Sequence, residues 1–233
     1  SKPDLLLVLG DRYEILSAVI AAMFERIPIA HIHGGEATEG LIDEAIRHSI
    51  TKMSHLHFTS TEIYRKRVIQ LGEEPDRVFN VGALGIENIK TFNFLSKEEL
   101  EKKFNFKFNK KNILVTFHPV TLEKTTSEEQ FKTLLKVLEE LKETTIIFTM
   151  PNSDTEGRII ISLIENFTSK NPKKAFAYTS MGKINYLSAM NYIDGVIGNS
   201  SSGVIEVPSF KIPTIDIGDR QKGRVKPESV IPC

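Results

Sequence analysis

Short apolar runs alternate with longer amphipathic stretches along this chain. The runs Leu5–Leu9, Pro28–His33, Leu56–Thr59, Val78–Val81, Ile113–Phe117, Thr145–Thr149, Ala175–Tyr178, Gly195–Ile197 and Thr214–Ile217 have the length and apolar character of buried strands. Between them, apolar residues recur at helical spacing in Glu14–Glu25, Asp43–Met53, Glu62–Leu71, Glu128–Leu141, Glu156–Phe167 and Ile184–Asn191. Thr126 and Ser127 are N-cap candidates for the helix that opens at Glu128. Strand–helix alternation of this kind predicts an α/β chain of parallel sheets covered on both faces.

The alternation breaks once, at Phe104–Asn112, a polar and basic stretch with interleaved phenylalanines. It reads as the connection between two α/β domains, residues 1–105 and 112–233. Its rival reading, a stacking platform for single-stranded nucleic acid, needs a basic field. The chain has 30 Lys plus Arg against 30 Asp plus Glu and a formal net charge of zero, so nucleic acid is not expected as a partner. Its 233 residues, 40% hydrophobic and 26% charged, suit two globular domains. Cys233 is the one cysteine, so no disulfide forms within the chain, which fits a cytoplasmic protein. No apolar run has membrane-spanning length, and no membrane partner is expected. Leu5–Leu9 reads as a fully buried strand with no leader before it. The expectation is a piece of a longer protein, with sequence missing chiefly at the front.

In open parallel sheets ligands bind beyond the carboxyl ends of the strands. Polar, turn-rich motifs sit at those ends here. Gly10-Asp11-Arg12 follows the first strand and offers a carboxylate and a phosphate-binding cation. His31-Ile32-His33-Gly34-Gly35-Glu36 ends the second, with His31 and His33 on one face by the strand period of two. Asp43-Glu44-Ala45-Ile46-Arg47-His48 opens the next helix, where Asp43 with Arg47 and Glu44 with His48 are i,i+4 neighbours. Gathered carboxylates drive some pKa values upward, so one site can hold both an acid and a base near neutral pH. His55 and His57 repeat the spacing of His31 and His33, but further ligands at zinc spacing are not evident, so no metal is expected.

In the second half, His118-Pro119-Val120-Thr121, Pro151-Asn152-Ser153-Asp154 and Tyr178-Thr179-Ser180-Met181-Gly182 end three successive strands. The fourth ends at Gly198-Asn199-Ser200-Ser201-Ser202-Gly203-Val204-Ile205-Glu206. A strand, a hydroxyl-rich turn and a helix start offer free N–H groups, serine hydroxyls and a positive dipole end to a phosphate. Glu206, one turn in, could reach a sugar hydroxyl on that phosphate. Gly218-Asp219-Arg220-Gln221-Lys222-Gly223-Arg224 then brings three cations that could neutralise a diphosphate. There is no Gly-x-Gly-x-x-Gly and no Walker Gly-Lys-Ser/Thr, which argues against a dinucleotide cofactor and against a P-loop nucleotidase. No cofactor is expected.

Taken together, these motifs resemble those of the hydrolysing UDP-N-acetylglucosamine 2-epimerases, including bacterial relatives that act on a diacetamido-trideoxy sugar. The resemblance extends over essentially all of the chain. It implies two Rossmann-like domains of glycosyltransferase-B type, the first incomplete at its N-terminus and lacking several strands and a Gly-Thr-Arg turn, with the active site in the cleft. It implies a UDP-sugar substrate, elimination of UDP to a 2-acetamidoglycal, and hydration to a free manno-configured amino sugar that feeds sialic or legionaminic-type acid synthesis. By the same resemblance Asp11, Asp43 and Glu44 match acid/base positions, and His118 lies by the leaving phosphate. Some relatives carry glutamate where this chain has His33, so either His33 or Glu36 takes an acid/base role. Ser200, Ser201, Ser202 and Arg220 match diphosphate contacts, Asn152 a uridine-diphosphate contact, Glu206 a ribose contact and Ser180 a position near the uracil. A homo-oligomer, dimer or tetramer, is expected, and the incomplete chain alone is expected to have little activity. The alternatives are a glycosyltransferase of the same architecture and a non-catalytic UDP-sugar-binding domain.

Overall fold

The computed structural model describes residues 3–37, 42–119, 127–151 and 155–233. Two compact units emerge, Ser1–Glu87 with Lys222–Arg224, and Asn88–Gln221 with Val225–Cys233.

The first unit is built on a parallel sheet of β1 (Leu6–Leu9), β2 (Ile29–Ile32), β3 (Leu56–Thr59) and β4 (Val78–Asn80), in that spatial order. The helices α1 (Tyr13–Phe24), α2 (Ile42–Met53) and α3 (Glu62–Gln70) connect them. Right-handed crossovers between strands in sequential order put all three helices on one face. There Val8 and Ile29 of the sheet pack with Val19 and Ala22 of α1 and Ile50 of α2. The other face of β1 is open: Leu7 is 58% exposed and Leu9 52%. The expectation of a fully buried first strand, in a sheet covered on both faces, is therefore corrected for this unit. A strand's alternate residues are buried only where a second layer covers their side.

The second unit is doubly wound. Its strands β5 (Lys111–Thr116), β6 (Thr144–Thr149), β7 (Ala175–Tyr178), β8 (Gly195–Gly198), β9 (Thr214–Asp216) and β10 (Val230–Pro232) are all parallel, in the order β10-β9-β8-β5-β6-β7. The chain winds outward from β5 through β6 to β7, returns to β8 beside β5, and winds outward again. Adjacent registers assign the faces. Val115 opposite Phe148 faces α6 (Ser127–Glu140) and α7 (Thr155–Lys170), and packs with Phe131, Leu138, Ile160 and Ile164. Leu114 opposite Ile147 faces the other layer and packs with Ala189 and Met190 of α8 (Lys183–Met190), whose Tyr186 hydroxyl bonds Ser202 of α9 (Ser201–Ile205).

The stretch from Phe104 to Asn112 is not an exposed connection. Phe106 is 4% exposed and Phe108 8%, and both pack with Leu114, Ile147 and Met190 in the second unit. The contact division falls after Glu87, and α4 (Leu84–Thr91) spans it. Next comes α5 (Lys97–Phe104), which places fully buried Leu100 in the same core. Its start is a reciprocal capping box: the Ser96 hydroxyl accepts from the Glu99 N–H, and the Glu99 carboxylate accepts from the Ser96 N–H. That Ser-x-x-Glu signal was present in the sequence.

Candidate active site

The first unit gathers a polar cluster at the carboxyl ends of β1 and β2. Arg47 of α2, 3% exposed, is its centre. One guanidinium nitrogen donates to the Asp11 carboxylate, and another to the Glu36 backbone carbonyl at 2.7 Å. Burial, and then the like charges of Arg224 and Arg67, press the Arg47 pKa down to about 10. The expected helical pair of Asp43 with Arg47 is corrected, because the arginine is directed to the turn after β1. Asp43 and Glu44 stand in the first turn of the same helix, where Glu44 pairs with His48 at 3.9 Å.

Glu36 is 6% exposed and three donors converge on its carboxylate. His33 Nδ1 lies 2.7 Å from Oε1, the Ser60 hydroxyl donates to the same oxygen at 3.0 Å, and Arg224 donates to Oε2 at 3.3 Å. Burial pushes the Glu36 pKa up; the hydrogen bond and charge of His33, with Arg224 and Ser60, outweigh it and hold the group below the usual glutamate value. Arg224 was expected among the diphosphate cations, but its partner here is Glu36.

The two histidines of this motif have different surroundings. His31 is fully buried on β2, with Nε2 2.9 Å from the Gly10 carbonyl and Nδ1 3.1 Å from the Thr51 hydroxyl. A carbonyl only accepts, so Nε2 carries the proton and Nδ1 accepts from Thr51. His33 lies past the end of β2 with φ +64°, so the shared face expected from strand alternation is not formed. His57 is also buried and bonds Glu73 through Nε2 at 3.1 Å, while His55 Nδ1 accepts from the Ile29 N–H.

Burial first, followed by the neighbouring charges of His57 and His33, lowers the His31 pKa to about 4 despite its bond to Gly10. It is neutral when folded at pH 7, whereas the unfolded chain takes up the proton near pH 6.5. Its contribution to stability is therefore whole above about pH 6.5 and drains away as the pH falls toward 4. Roughly 3 kcal/mol is at stake. Urea unfolding between pH 7 and 4 is expected to show this slope, and a His31→Gln variant a shallower one.

In the second unit, β5 and β8 form the point where the winding reverses, the place at which open α/β sheets bind ligands. Asn199, 2% exposed, clamps the two strand ends together. Its Oδ1 accepts from the His118 N–H and its Nδ2 donates to the His118 carbonyl, both at 2.7 Å. The Asn199 carbonyl accepts from Arg220 at 3.0 Å and Gln221 at 2.9 Å. This fixes the loop after β9 against the turn after β8. Asn199 and Gln221 stand in the turn motifs of the sequence, but an asparagine or glutamine in a polar loop gives no signal of burial or of this clamping role.

Ser200 caps α9, accepting from the Ser202 N–H at 3.4 Å. The Tyr186 hydroxyl donates to Ser202 Oγ at 3.0 Å, so the serine can direct its own proton outward. Burial pushes the Tyr186 phenol up to about 12, with Glu206 adding to the rise and the Ser202 bond opposing it. The helix is shorter than expected: α9 ends at Ile205, and Glu206 is its C-cap. Five residues give little macrodipole, so the serine hydroxyls and the strand-end backbone carry more of any anion binding. Ser180 is exposed beside Gly182, whose N–H bonds its hydroxyl. Arg12 is exposed at the N-cap of α1 and bonded to Glu14 at 3.2 Å. Asn152 lies outside the described residues.

A sequence model of the family described as UDP-N-acetylglucosamine 2-epimerase matches residues 1–233. The chain belongs to that family. It is 50% identical over 230 residues to a hydrolysing GDP/UDP-N,N'-diacetylbacillosamine 2-epimerase of Campylobacter jejuni, covering 99% of this chain and 60% of that protein. It is also 50% identical to the polysialic acid biosynthesis protein P7 of Escherichia coli, over 98% of this chain and 58% of the relative. Among solved structures, it matches the UDP-N-acetylglucosamine 2-epimerase of Neisseria meningitidis bound to UDP-N-acetylglucosamine with a TM-score of 0.76 at 21% identity, over 94% of this chain and 60% of that one. The likeness establishes an α/β, glycosyltransferase-B-type fold for this 2-epimerase family member. The chain spans about 60% of the length of the curated relatives it matches. No helix among the described residues is long and apolar enough to cross a membrane.

Proposed function

We propose that this protein is a hydrolysing UDP-sugar 2-epimerase. The carrying observation is the Arg47-centred cluster, which holds Asp11, Glu36 and, through Glu36, His33 at the ends of adjacent parallel strands. Such a set suits proton removal from one carbon and proton return to it. The half-identical relatives named for 2-epimerisation and for polysialic acid synthesis support the same reading.

The substrate is a UDP-sugar with an acetamido group at C2. A base takes the C2 proton, the electron pair forms the C1=C2 bond, and the C1–O bond breaks to release UDP. Water then adds across that bond, hydroxyl to C1 and hydrogen to C2 from the opposite face, giving a free manno sugar for sialic or legionaminic-type acid synthesis. Asp11, His33, Glu36, Asp43 and Glu44 supply the proton-transferring and supporting groups. His118, Ser200, Ser201, Ser202 and Arg220 bind the diphosphate with Arg12 and Asn152, Glu206 takes the ribose, and Ser180 the uracil end. The enzyme works as a cytoplasmic homo-oligomer.

The test is incubation of the full-length protein with UDP-N-acetylglucosamine, and separately with UDP-diacetylbacillosamine, in water labelled with deuterium and oxygen-18. One of the two is expected to release UDP and a sugar carrying deuterium at C2 and oxygen-18 at C1. UDP release with the original C2 hydrogen retained would overturn the elimination, and transfer of the sugar to an acceptor would make the protein a glycosyltransferase.

A further inference from the structure

The cluster holds more carboxylate and imidazole groups than one proton transfer needs, and their surroundings distinguish them. Glu36 has its carboxylate oxygens occupied by His33, Ser60 and Arg224, and its side chain is 7% exposed. A carboxylate held by three donors is a poor base, since each bond favours the charged form and draws on the lone pairs. It is also a poor acid, since it stays ionised. His33 is different. Among the described residues its partner at Nδ1 is a carboxylate, which can only accept, so Nδ1 carries the proton and Nε2 keeps its lone pair. The His33 side chain is 18% exposed, open enough to meet a substrate.

The backbone is built to hold this pair. His33 adopts the left-handed conformation, at φ +64°, which turns its side chain away from the alternation of β2. Gly35 follows at φ +79°, and a Cβ there would lie 2.5 Å from the Tyr64 carbonyl of α3. The loop therefore lies directly on α3, as only glycine allows. Two buried or half-buried arginines then pin it by its carbonyls, Arg67 on Gly35 at 2.6 Å and Arg47 on Glu36 at 2.7 Å. Strain and anchoring of this order at a polar loop mark a pre-organised site.

We propose that His33 and Glu36 form a catalytic dyad, in which His33 Nε2 exchanges the proton with the substrate and Glu36 is the positioning residue that fixes the ring and balances its charge. In the forward step the C2 proton passes to Nε2, and the C2–H electron pair forms the C1=C2 bond as the C1–O bond breaks to UDP. The imidazolium so formed is met by the Glu36 carboxylate, which does not itself take the proton. Ser60 and Arg224 hold that carboxylate in place. The identity of the substrate rests on the epimerase reading; the dyad geometry does not.

Two measurements separate the failures. Imidazole nitrogen-15 NMR of the intact chain, with His33 assigned by the signals lost in His33→Gln, reads the tautomer without any turnover. The dyad requires a protonated Nδ1 and a bare Nε2 once the ring is neutral, and the opposite tautomer overturns it. Kinetics then test the roles. In the full-length protein, with UDP-N-acetylglucosamine or UDP-diacetylbacillosamine, His33→Gln is expected to lose about 10³-fold in kcat. Glu36→Gln is expected to lose about 10- to 100-fold in kcat with KM nearly unchanged, since orientation and charge balance act at the transition state. If Glu36→Gln does not fold, Ser60→Ala loosens the same carboxylate, and a drop in kcat of roughly 3- to 10-fold at constant KM is expected. A Glu36 variant worse than His33→Gln, or an unaltered kcat in Ser60→Ala, overturns the dyad. If the full-length protein turns over neither sugar, the epimerase reading fails while the tautomer still decides the pairing.

Discussion

Gly198→Ala is expected to destabilise the second unit by about 4 kcal/mol or more, in the range reserved for severe backbone conflicts. Gly198 closes β8 with φ +146°, a region that side chains rarely enter. An added Cβ would lie 1.8 Å from the Thr116 carbonyl oxygen and 2.6 Å from its carbon. Both are backbone atoms of the neighbouring central strand, so neither can swing aside. To relieve the clash, β5 and β8 would have to part at their carboxyl ends. The Asn199 clamp on His118 would then open, and the serine turn would lose its position. Urea unfolding reads the stability, and titration with UDP reads the turn. Two other glycines serve as controls. At Gly195 a Cβ would meet Pro213 at an ordinary 3.8 Å, and alanine there is expected to be neutral within about 0.5 kcal/mol. Gly10 shares a positive φ, +83°, but has open space, so alanine there isolates the backbone term, about 1 kcal/mol. Equal losses at all three glycines would show that the β5–β8 approach is not the constraint.

Apolar run length and helical spacing were sufficient to read most elements. The run Thr145–Thr149 lies inside β6, where five of six residues are buried, and a run buried on both faces can hardly be read otherwise. Two kinds of error came from the same source. Leu5–Leu9 is as apolar as β6, yet Leu7 and Leu9 are exposed, because a strand's own residues do not report whether a second layer covers them. Conversely, Phe106 and Phe108 sit among lysines and asparagines and read as a polar connection. Their alternation, aromatic in and charged out, places both rings in the core, edge to face with centroids 4.7 Å apart.

The strand-end placement of the candidate residues was legible, and their pairing was less so. Strand-end position correctly marked Asp11, His33, Glu36, His118 and the serine turn as neighbours of their sheets' carboxyl edges. Partnership depends on three-dimensional proximity that spacing along a helix does not determine. Arg47 is four residues from Asp43 but serves Asp11, thirty-six residues away, and Arg224 serves Glu36 from 188 residues away. Ser60 gave no signal at all, since one hydroxyl in a Thr-Ser-Thr turn resembles any cap residue.

Arg47→Met is expected to lower stability by about 3 kcal/mol, near 10 °C in Tm for a chain of this size, and to remove most activity. Methionine matches the length and fills the space, so packing is largely kept and the loss is electrostatic. Two groups lose their donor: the Asp11 carboxylate, 21% exposed, and the Glu36 carbonyl, which is buried with its residue. A buried acceptor without a donor costs about 1–3 kcal/mol, and the half-buried Asp11 carboxylate is left without its cation. Arg47→Lys keeps the charge but not the planar fork. One ammonium can meet Asp11 or Glu36 well, and both only poorly. It is expected to recover part of the stability and little of the turnover, because the proposed proton transfer needs Asp11 and the Glu36 loop held in one geometry at once. Thermal melts of the two variants, read beside their rates of UDP release, distinguish these effects. Full activity in Arg47→Lys would mean that charge alone suffices there, and full stability in Arg47→Met would mean that Asp11 and Glu36 are held by other groups.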